Sequence, residues 1–421
     1  MYSGIISAKI KRMKSADLPA NPAIGFRPAK HCSWIIWAVQ LWNALDLTWH
    51  NRLRLDPRDL AILKNLPKDS GLILTANHSD EMDPRICIEL SRRFHRRSTT
   101  MINAEAFEEW HGIYGWLLQR LGGFSVERSG NDQASRRFAV NVVKKGHDTL
   151  IMFPEGEVSY LNDLVQPFKT GAIHIGLQAV IEARKQNHPW TTYILPVAIK
   201  YRYRKPIGWI LNKKIRTIEK RLLISASSFT FQERIIRIMA KILDRQKLIS
   251  HTQTISDQLT RLTEEVKQAQ ETLLSKIENK YPEFQIDTKI KLVDRAQKMI
   301  FLLREQLFRK NVPDLKAEIL LQKEIKNLKE TIQMAGWQPQ YIGFTPSEER
   351  LAETVMKLER EVFKLKTPPR PLGARNVFLR IGPPLDLGRY VEAYQKGPST
   401  ITRQIAEELR DNIQSLIKNM I

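Results

Sequence analysis

Histidine, serine and two aspartates fall together in the run Asn77-His78-Ser79-Asp80-Glu81-Met82-Asp83-Pro84, directly after the apolar segment Gly71-Leu72-Ile73-Leu74-Thr75-Ala76. An imidazole exchanges a proton near neutral pH, and a carboxylate five residues on can bond its other ring nitrogen. Such a partner fixes the tautomer and stabilises the imidazolium formed when the ring acts as a base. An apolar run that ends abruptly in polar residues reads as a buried strand feeding a loop. Strand ends are rigid and open, which suits chemistry. A histidine–aspartate pair alone is a weak signal, because polar neighbours on loops are common.

Three further segments give the pair a context. Gly122-Gly123-Phe124-Ser125-Val126-Glu127-Arg128 joins glycines, a short apolar stretch and an arginine. Phe153-Pro154-Glu155-Gly156 closes the apolar run Thr149-Leu150-Ile151-Met152, and Ile194-Leu195-Pro196-Val197-Ala198-Ile199 is a strand-like segment broken by proline. In this order and approximate spacing, the four segments are similar to the four motif blocks of the glycerophospholipid acyltransferases. The chain resembles the 1-acyl-glycerol-3-phosphate acyltransferase superfamily over residues 50–210, with a closing strand near 375–385.

That resemblance implies an O-acyltransferase. It would move a fatty acyl group from acyl-CoA or acyl-carrier protein to a glycerolipid hydroxyl, lysophosphatidate-like, with no cofactor. It assigns His78 as general base and Asp83 as its orienter. Asn77 and Ser79 fall beside them in the substrate-binding set. Arg128, Glu155 and Gly156 correspond to acceptor recognition, in particular of a glycerol phosphate. An arginine suits a phosphate because its planar fork donates two hydrogen bonds. Ser79 adjoins His78, which rarely gives in-line geometry, so direct transfer is favoured over an acylated serine. Gly122 and Gly156 read as turn residues that allow close backbone approach, and Pro196 as part of the pocket wall.

The chain also departs from the family pattern. Glu157 and Val158 stand where threonine and arginine often follow Phe-Pro-Glu-Gly, and Asp80 stands where serine is usual. Both changes make the site more acidic near an expected phosphate. Lys169, in Phe168-Lys169-Thr170-Gly171, restores one positive charge. An acceptor without phosphate therefore stays open, as does a catalytically silent lipid-binding or scaffold protein.

The 421 residues carry 67 Lys and Arg against 45 Asp and Glu, a formal charge of +22. An anionic membrane surface, a phosphorylated substrate or an acidic acyl carrier would each complement that charge. Nucleic acid would too, but no recognised nucleic-acid motif is present and the lysines are interspersed with glutamates on helices, so none is expected. Two cysteines, Cys32 and Cys87, argue against a disulfide framework. Cys87 reads as a core residue one turn beyond Asp83. No cluster has zinc-site spacing, so no metal is indicated.

Strand-like segments at 71–76, 98–103, 149–153 and 192–201 alternate with helical ones near 84–95, 105–121, 132–146 and 170–186. The alternation predicts an α/β domain over 53–212, with a mixed, largely parallel sheet flanked by helices. Between 213 and 366 the pattern is helical: stretches near 232–249, 288–309, 313–334 and 346–365, and a coiled-coil-like seam at Ile255, Leu259, Leu262, Val266, Ala269 and Leu273. Thr345-Pro346-Ser347-Glu348 has the form of a helix start. Residues 375–421 then supply a closing strand and a C-terminal helix; two consecutive domains are the alternative.

Residues 1–52 read as a basic arm and an amphipathic helix, retained and not a signal peptide. From Ser33 to His50, Gln40, Asn43, Asp46 and His50 form one polar stripe, with Trp34, Ile35, Trp37, Leu41, Trp42, Leu45 and Trp49 around it. Eighteen helical residues extend about 27 Å, close to a hydrocarbon core of roughly 30 Å. The polar stripe favours lying in the interface over spanning, and covering the domain's own core remains open. The expected location is peripheral or monotopic, on the cytoplasmic face of a membrane.

Overall fold

The computed structural model describes residues 25–67, 69–127, 132–185, 190–225, 229–244, 254–309, 315–343 and 346–420. Most of the basic arm, Arg128 and Thr345 lie outside the described residues. The strands are β1 (Asn51–Leu55), β2 (Gly71–Ala76), β3 (Arg97–Asn103), β4 (Gly123–Val126), β5 (Asp148–Met152), β6 (Thr192–Tyr203), β7 (Arg375–Ile381) and β8 (Leu385–Asp386). They form one mixed, mostly parallel sheet in the order β1-β7-β6-β2-β5-β3-β4, with β8 also pairing with β6. Among the described residues, the pairings of β6 with β7 and β8 alone are antiparallel. The α/β class expected from the alternating pattern is the one the chain adopts.

Both sheet faces are covered, by helices α1 (Ser33–Trp49), α2 (Pro57–Lys64), α3 (Asp83–Arg93), α4 (Ile113–Arg120), α5 (Gln133–Lys145) and α6 (Gly171–Arg184). Side chains alternate along a strand, so β2 sends Leu72 and Leu74 to a cluster with Leu47, Ile86 and Leu90. Ile73 points to the other face, among Val140, Val143, Ile173 and Leu177. A strand buried on both faces must be apolar throughout, which is why β2 reads as a continuous run. Cys87 is fully buried in the first of these clusters.

Between β6 and β7 lie α7 (Gly208–Leu222), α8 (Phe231–Ile242), α9 (Ile255–Glu278), α10 (Leu292–Arg309), α11 (Leu315–Met334), α12 (Pro339–Ile342) and α13 (Glu348–Val362). After β8 come α14 (Val391–Lys396) and α15 (Pro398–Lys418), and Ile405 and Leu409 of α15 return to the sheet's core. A boundary at 212 cuts through α7, whose Leu211, Ile215 and Ile218 pack with α8 and α13. The helical segment therefore starts at Gly208. The long α9 bridges two clusters, with Leu259, Leu262 and Val266 in one and Leu274 and Ile277 in the other. Its buried stripe runs through Gln270 and Leu274, leaving Leu273 exposed, so the heptad reading fails in its second half. A straight helix drifts away from a seven-residue repeat unless a partner supercoils with it.

Three other local expectations shift. Residues 105–121 are not one helix: a 3-10 stretch from Ala104 to Gly112 precedes α4, and the chain breaks at Trp110 and His111. α8 ends at Ile242, and residues 245–249 of the expected helix lie outside the described residues. α13 is capped by Ser347, whose hydroxyl accepts the Arg350 amide, two residues beyond the expected threonine.

Candidate active site

The loops after β2 and β5 emerge side by side, because those strands are parallel neighbours. His78 lies on the first. Its Nδ1 is 3.1 Å from Oδ2 of Asp83, the first residue of α3, whose carboxylate is fully buried. That oxygen also accepts the Asp80 amide at 2.8 Å, and Oδ1 accepts the Tyr201 hydroxyl at 2.5 Å. Burial pushes the Asp83 carboxyl up, while the bonds from His78 and Tyr201 oppose that rise. With Nδ1–H donated to Asp83, Nε2 keeps its lone pair; among the described residues it has no hydrogen-bond partner.

The loop is braced from below. The His78 amide donates to Glu155 Oε1 at 2.9 Å, and its carbonyl accepts from the Ser159 amide at 2.7 Å. Phe153 stacks on the imidazole, with ring centroids 4.1 Å apart. The Phe-Pro-Glu-Gly segment thus holds the histidine in place. Asn77, just past the end of β2, extends the ladder with its side chain: Nδ2 donates to the Ile199 carbonyl and Oδ1 accepts the Ile199 amide. Asn162 does the same for Tyr201. Asn77 is buried within this pairing, which gives it a structural place in the fold.

Two groups absent from the sequence reading complete the loop's surroundings. Arg375, the first residue of β7, sends Nη1 to Asp80 Oδ2 at 2.7 Å and Nε to Asn51 Oδ1 at 3.0 Å. Its guanidinium lies over the Tyr201 ring, 4.2 Å from the centroid. Asp80 is therefore neutralised within the protein and does not make the site more acidic. The signal was one residue away: starting the strand at Arg375 instead of Asn376 puts the arginine on the inward face of Val377, Leu379 and Ile381. Tyr201 was similarly legible as the polar tip on the apolar face of Val197 and Ile199.

A cavity of about 1760 Å³ lies between the strand ends and the helical segment, lined on one side by Ser79, Asp80 and Glu155. Ser79 Oγ is buried and without a hydrogen-bond partner among the described residues. α10 forms part of the opposite wall and takes up two of the charges discussed above: Lys169 Nζ pairs with Asp294 at 2.9 Å and donates to Gln297, while Glu157 accepts from Gln297 at 2.6 Å. Gly156, at φ +82°, lets the Lys169 stem pass closely. Gly122, also left-handed, packs against His31 and the Ser98 carbonyl, outside the cavity lining. Pro196 is likewise outside it, opposite Thr75 inside the sheet. A strand residue's N–H and C=O point the same way, and the Pro196 carbonyl accepts the Gly382 amide in the gap between β7 and β8. The missing N–H thus lies on the Gly382 side, just past the last residue of β7, and takes nothing from the parallel ladder with β2, which is how a central strand tolerates proline.

Burial raises the Glu155 carboxyl from its ordinary 4.5 to about 7, against the bond from the His78 amide. A raised carboxyl contributes stability below its unfolded pKa and loses it as pH rises through the folded one. Glu155→Gln keeps an acceptor for the His78 amide and cannot ionise. It is expected to gain stability on the parent between pH 4.5 and 7, by up to about 3 kcal/mol. Urea unfolding at several pH values checks this, and parallel pH slopes would show that Glu155 does not titrate in that window.

α1 lies against the sheet with Asn43 and Asp46 of its polar stripe turned inward, while His50, just past its end, is exposed. Asn43 exchanges hydrogen bonds with Arg85, and Asp46 pairs with the same side chain. Trp34, Trp37, Leu41, Trp42, Leu45 and Trp49 face outward, each more than half exposed. No helix among the described residues is long and apolar enough to cross a membrane. Nor do these residues group three His, Cys, Asp or Glu side chains that could hold a metal ion.

Residues 59–200 match the Acyltransferase family model. The chain is also similar to the 1-acyl-sn-glycerol-3-phosphate acyltransferase of Streptococcus pneumoniae (strain ATCC BAA-255 / R6), with 28% identity over 133 residues. That stretch is 32% of this chain and 45% of the relative, so the chain spans less than half the length of the protein it matches.

Proposed function

Since residues 59–200 form an acyltransferase domain of the glycerophospholipid acyltransferase superfamily, we propose that the protein transfers a fatty acyl group from acyl-CoA or acyl-carrier protein to a glycerolipid hydroxyl. The observation that carries this reading is the His78–Asp83 pair, whose Nε2 has no hydrogen-bond partner among the described residues, on a loop whose next two residues, Ser79 and Asp80, line a large cavity that His78 itself does not line. In the reaction, Nε2 takes the proton of the acceptor hydroxyl as its oxygen attacks the thioester carbon. The tetrahedral intermediate collapses, the C–S bond breaks, and the imidazolium returns the proton to the leaving thiolate. Asp83 holds Nδ1–H throughout and stabilises the positive ring. Transfer is direct, without an acyl-serine.

The acceptor we propose is lysophosphatidate-like, with Arg128 and Lys169 meeting its phosphate. Its entry is from an anionic membrane, against which the outward tryptophans of α1 rest on the cytoplasmic side. A second reading, an uncharged lipid acceptor, is favoured by one observation: Lys169 is already paired with Asp294. The two readings separate when lysophosphatidate, glycerol 3-phosphate and uncharged lysolipids are offered side by side with each acyl donor. Lysophosphatidate is expected to be used best, and Lys169→Ala to raise its apparent KM with little change in kcat. Transfer only to uncharged lysolipids would overturn the phosphate reading, and transfer to none would overturn the proposed activity.

A further inference from the structure

Trp110, Ile113 and Trp116 are 71, 67 and 49% exposed, on a knuckle that the chain bends sharply to make. Trp110 and His111 are left-handed, at φ 52° and 56°, and Gly112 follows at 87°. That backbone is unfavourable for bulky side chains. Core packing does not demand it here, since the Trp110 ring is exposed beside Tyr114, 5.7 Å between centroids. The knuckle is nevertheless held firmly. Gly115 packs so tightly on buried Phe107 that an added Cβ would clash with its backbone, and Arg27 Nη1 donates to the Phe107 carbonyl at 2.8 Å. With Gly115 turned inward, Ile113 and Trp116, three residues apart on α4, share the outward face.

Two neighbourhoods give this patch meaning. On its inner side the same segment lines the cavity, through Glu105, Ala106 and Glu109. At its end it abuts the start of α1: the Lys30 and Cys32 amides donate to the Gln119 and Arg120 carbonyls at 2.8 and 2.9 Å. The Arg120 guanidinium lies over the Trp116 ring, 5.2 Å from its centroid. Exposed Lys30 adds a second positive charge at that rim. Tryptophans with arginine and lysine at their edge complement a bilayer interface with anionic headgroups.

We propose that the Trp110–Trp116 knuckle is a second bilayer contact, continuous with α1, which seats the cavity's rim in the headgroup region so that a lipid acceptor passes directly into the site. This rests on the reading of the protein as a lipid acyltransferase working at a membrane, and adds an element to it.

The test uses the full chain and sedimentation with vesicles of equimolar phosphatidylcholine and phosphatidylglycerol. Trp110→Ser/Trp116→Ser is expected to lower partitioning about tenfold. Ile113→Asp, a separate variant on the same exposed face, is expected to act in the same direction, with circular dichroism controlling for folding. Apparent KM for a vesicle-embedded acceptor rises by a similar factor, while kcat and KM for a water-soluble short-chain acceptor stay unchanged. Unaltered vesicle partitioning in both variants would overturn the proposal, even with transfer activity intact. So would a loss of self-association in sedimentation velocity without loss of vesicle binding, which would make the patch a contact between copies. If the parent transfers no acyl group to any acceptor, the enzymatic reading fails, and the vesicle measurement still decides the knuckle.

Discussion

His78→Ala is expected to reduce acyl transfer by about 10²-fold or more while leaving the fold in place, because the alanine removes the imidazole proposed to take the acceptor's proton. The expectation rests on geometry: Nδ1 faces a buried carboxylate and Nε2 has no hydrogen-bond partner among the described residues. Asp83→Asn should act in the same direction, since an amide can turn either end to the ring and no longer selects the tautomer. Its effect on stability is also informative. The buried Asp83 carboxylate accepts from His78, Asp80 and Tyr201, and an amide oxygen and nitrogen cannot satisfy all three donors. Turnover of purified variants, with circular dichroism as the folding control, checks both. Near-parental turnover by folded His78→Ala would remove the histidine from the mechanism.

Arg375→Met is expected to cost about 3–5 kcal/mol of stability, because it leaves Asp80 as a charge taken largely out of water without its partner. Asp80 also gives its amide to Asp83 and accepts the Met82 amide through Oδ1 at 2.9 Å. Displacing it therefore disturbs the loop that carries His78. Acyl transfer should fall along with stability. The double variant Arg375→Met/Asp80→Asn removes both charges together and should recover most of the lost stability, as a buried pair replaced as a unit is often nearly neutral. Urea unfolding of the two variants gives the comparison. Equal losses in single and double variants would mean that Arg375 contributes through Asn51 and the Tyr201 ring, and not through Asp80.

The α/β core, the site loop and the helical segment before the closing strand were readable because each rests on local pattern. β2 and β5 are apolar throughout since both faces are covered, and their polar successors mark the sheet end where His78 and Glu155 emerge. His78 and Asp83 are five positions apart, and their pairing needs only a strand end and a helix start to form. Its immediate brace was harder to read: Phe153 and Glu155 stood out as a segment, but their contacts with the imidazole and its amide cross 75 residues and more of chain.

What the tertiary structure decided are the pairings over long separations and the choice between faces. Asp80 looked like an unfavourable negative charge until β7 brought Arg375 to it from 295 residues away. Lys169 looked like a free cation until α10 supplied Asp294. Periodicity showed that α1 has a polar stripe but not which side meets the protein. Asn43 and Asp46 turn inward because Arg85, on the helix that begins with Asp83, offers them a charged partner. A side chain's periodicity is set by its own segment, whereas its charge balance and exposure depend on whichever distant segment packs against it.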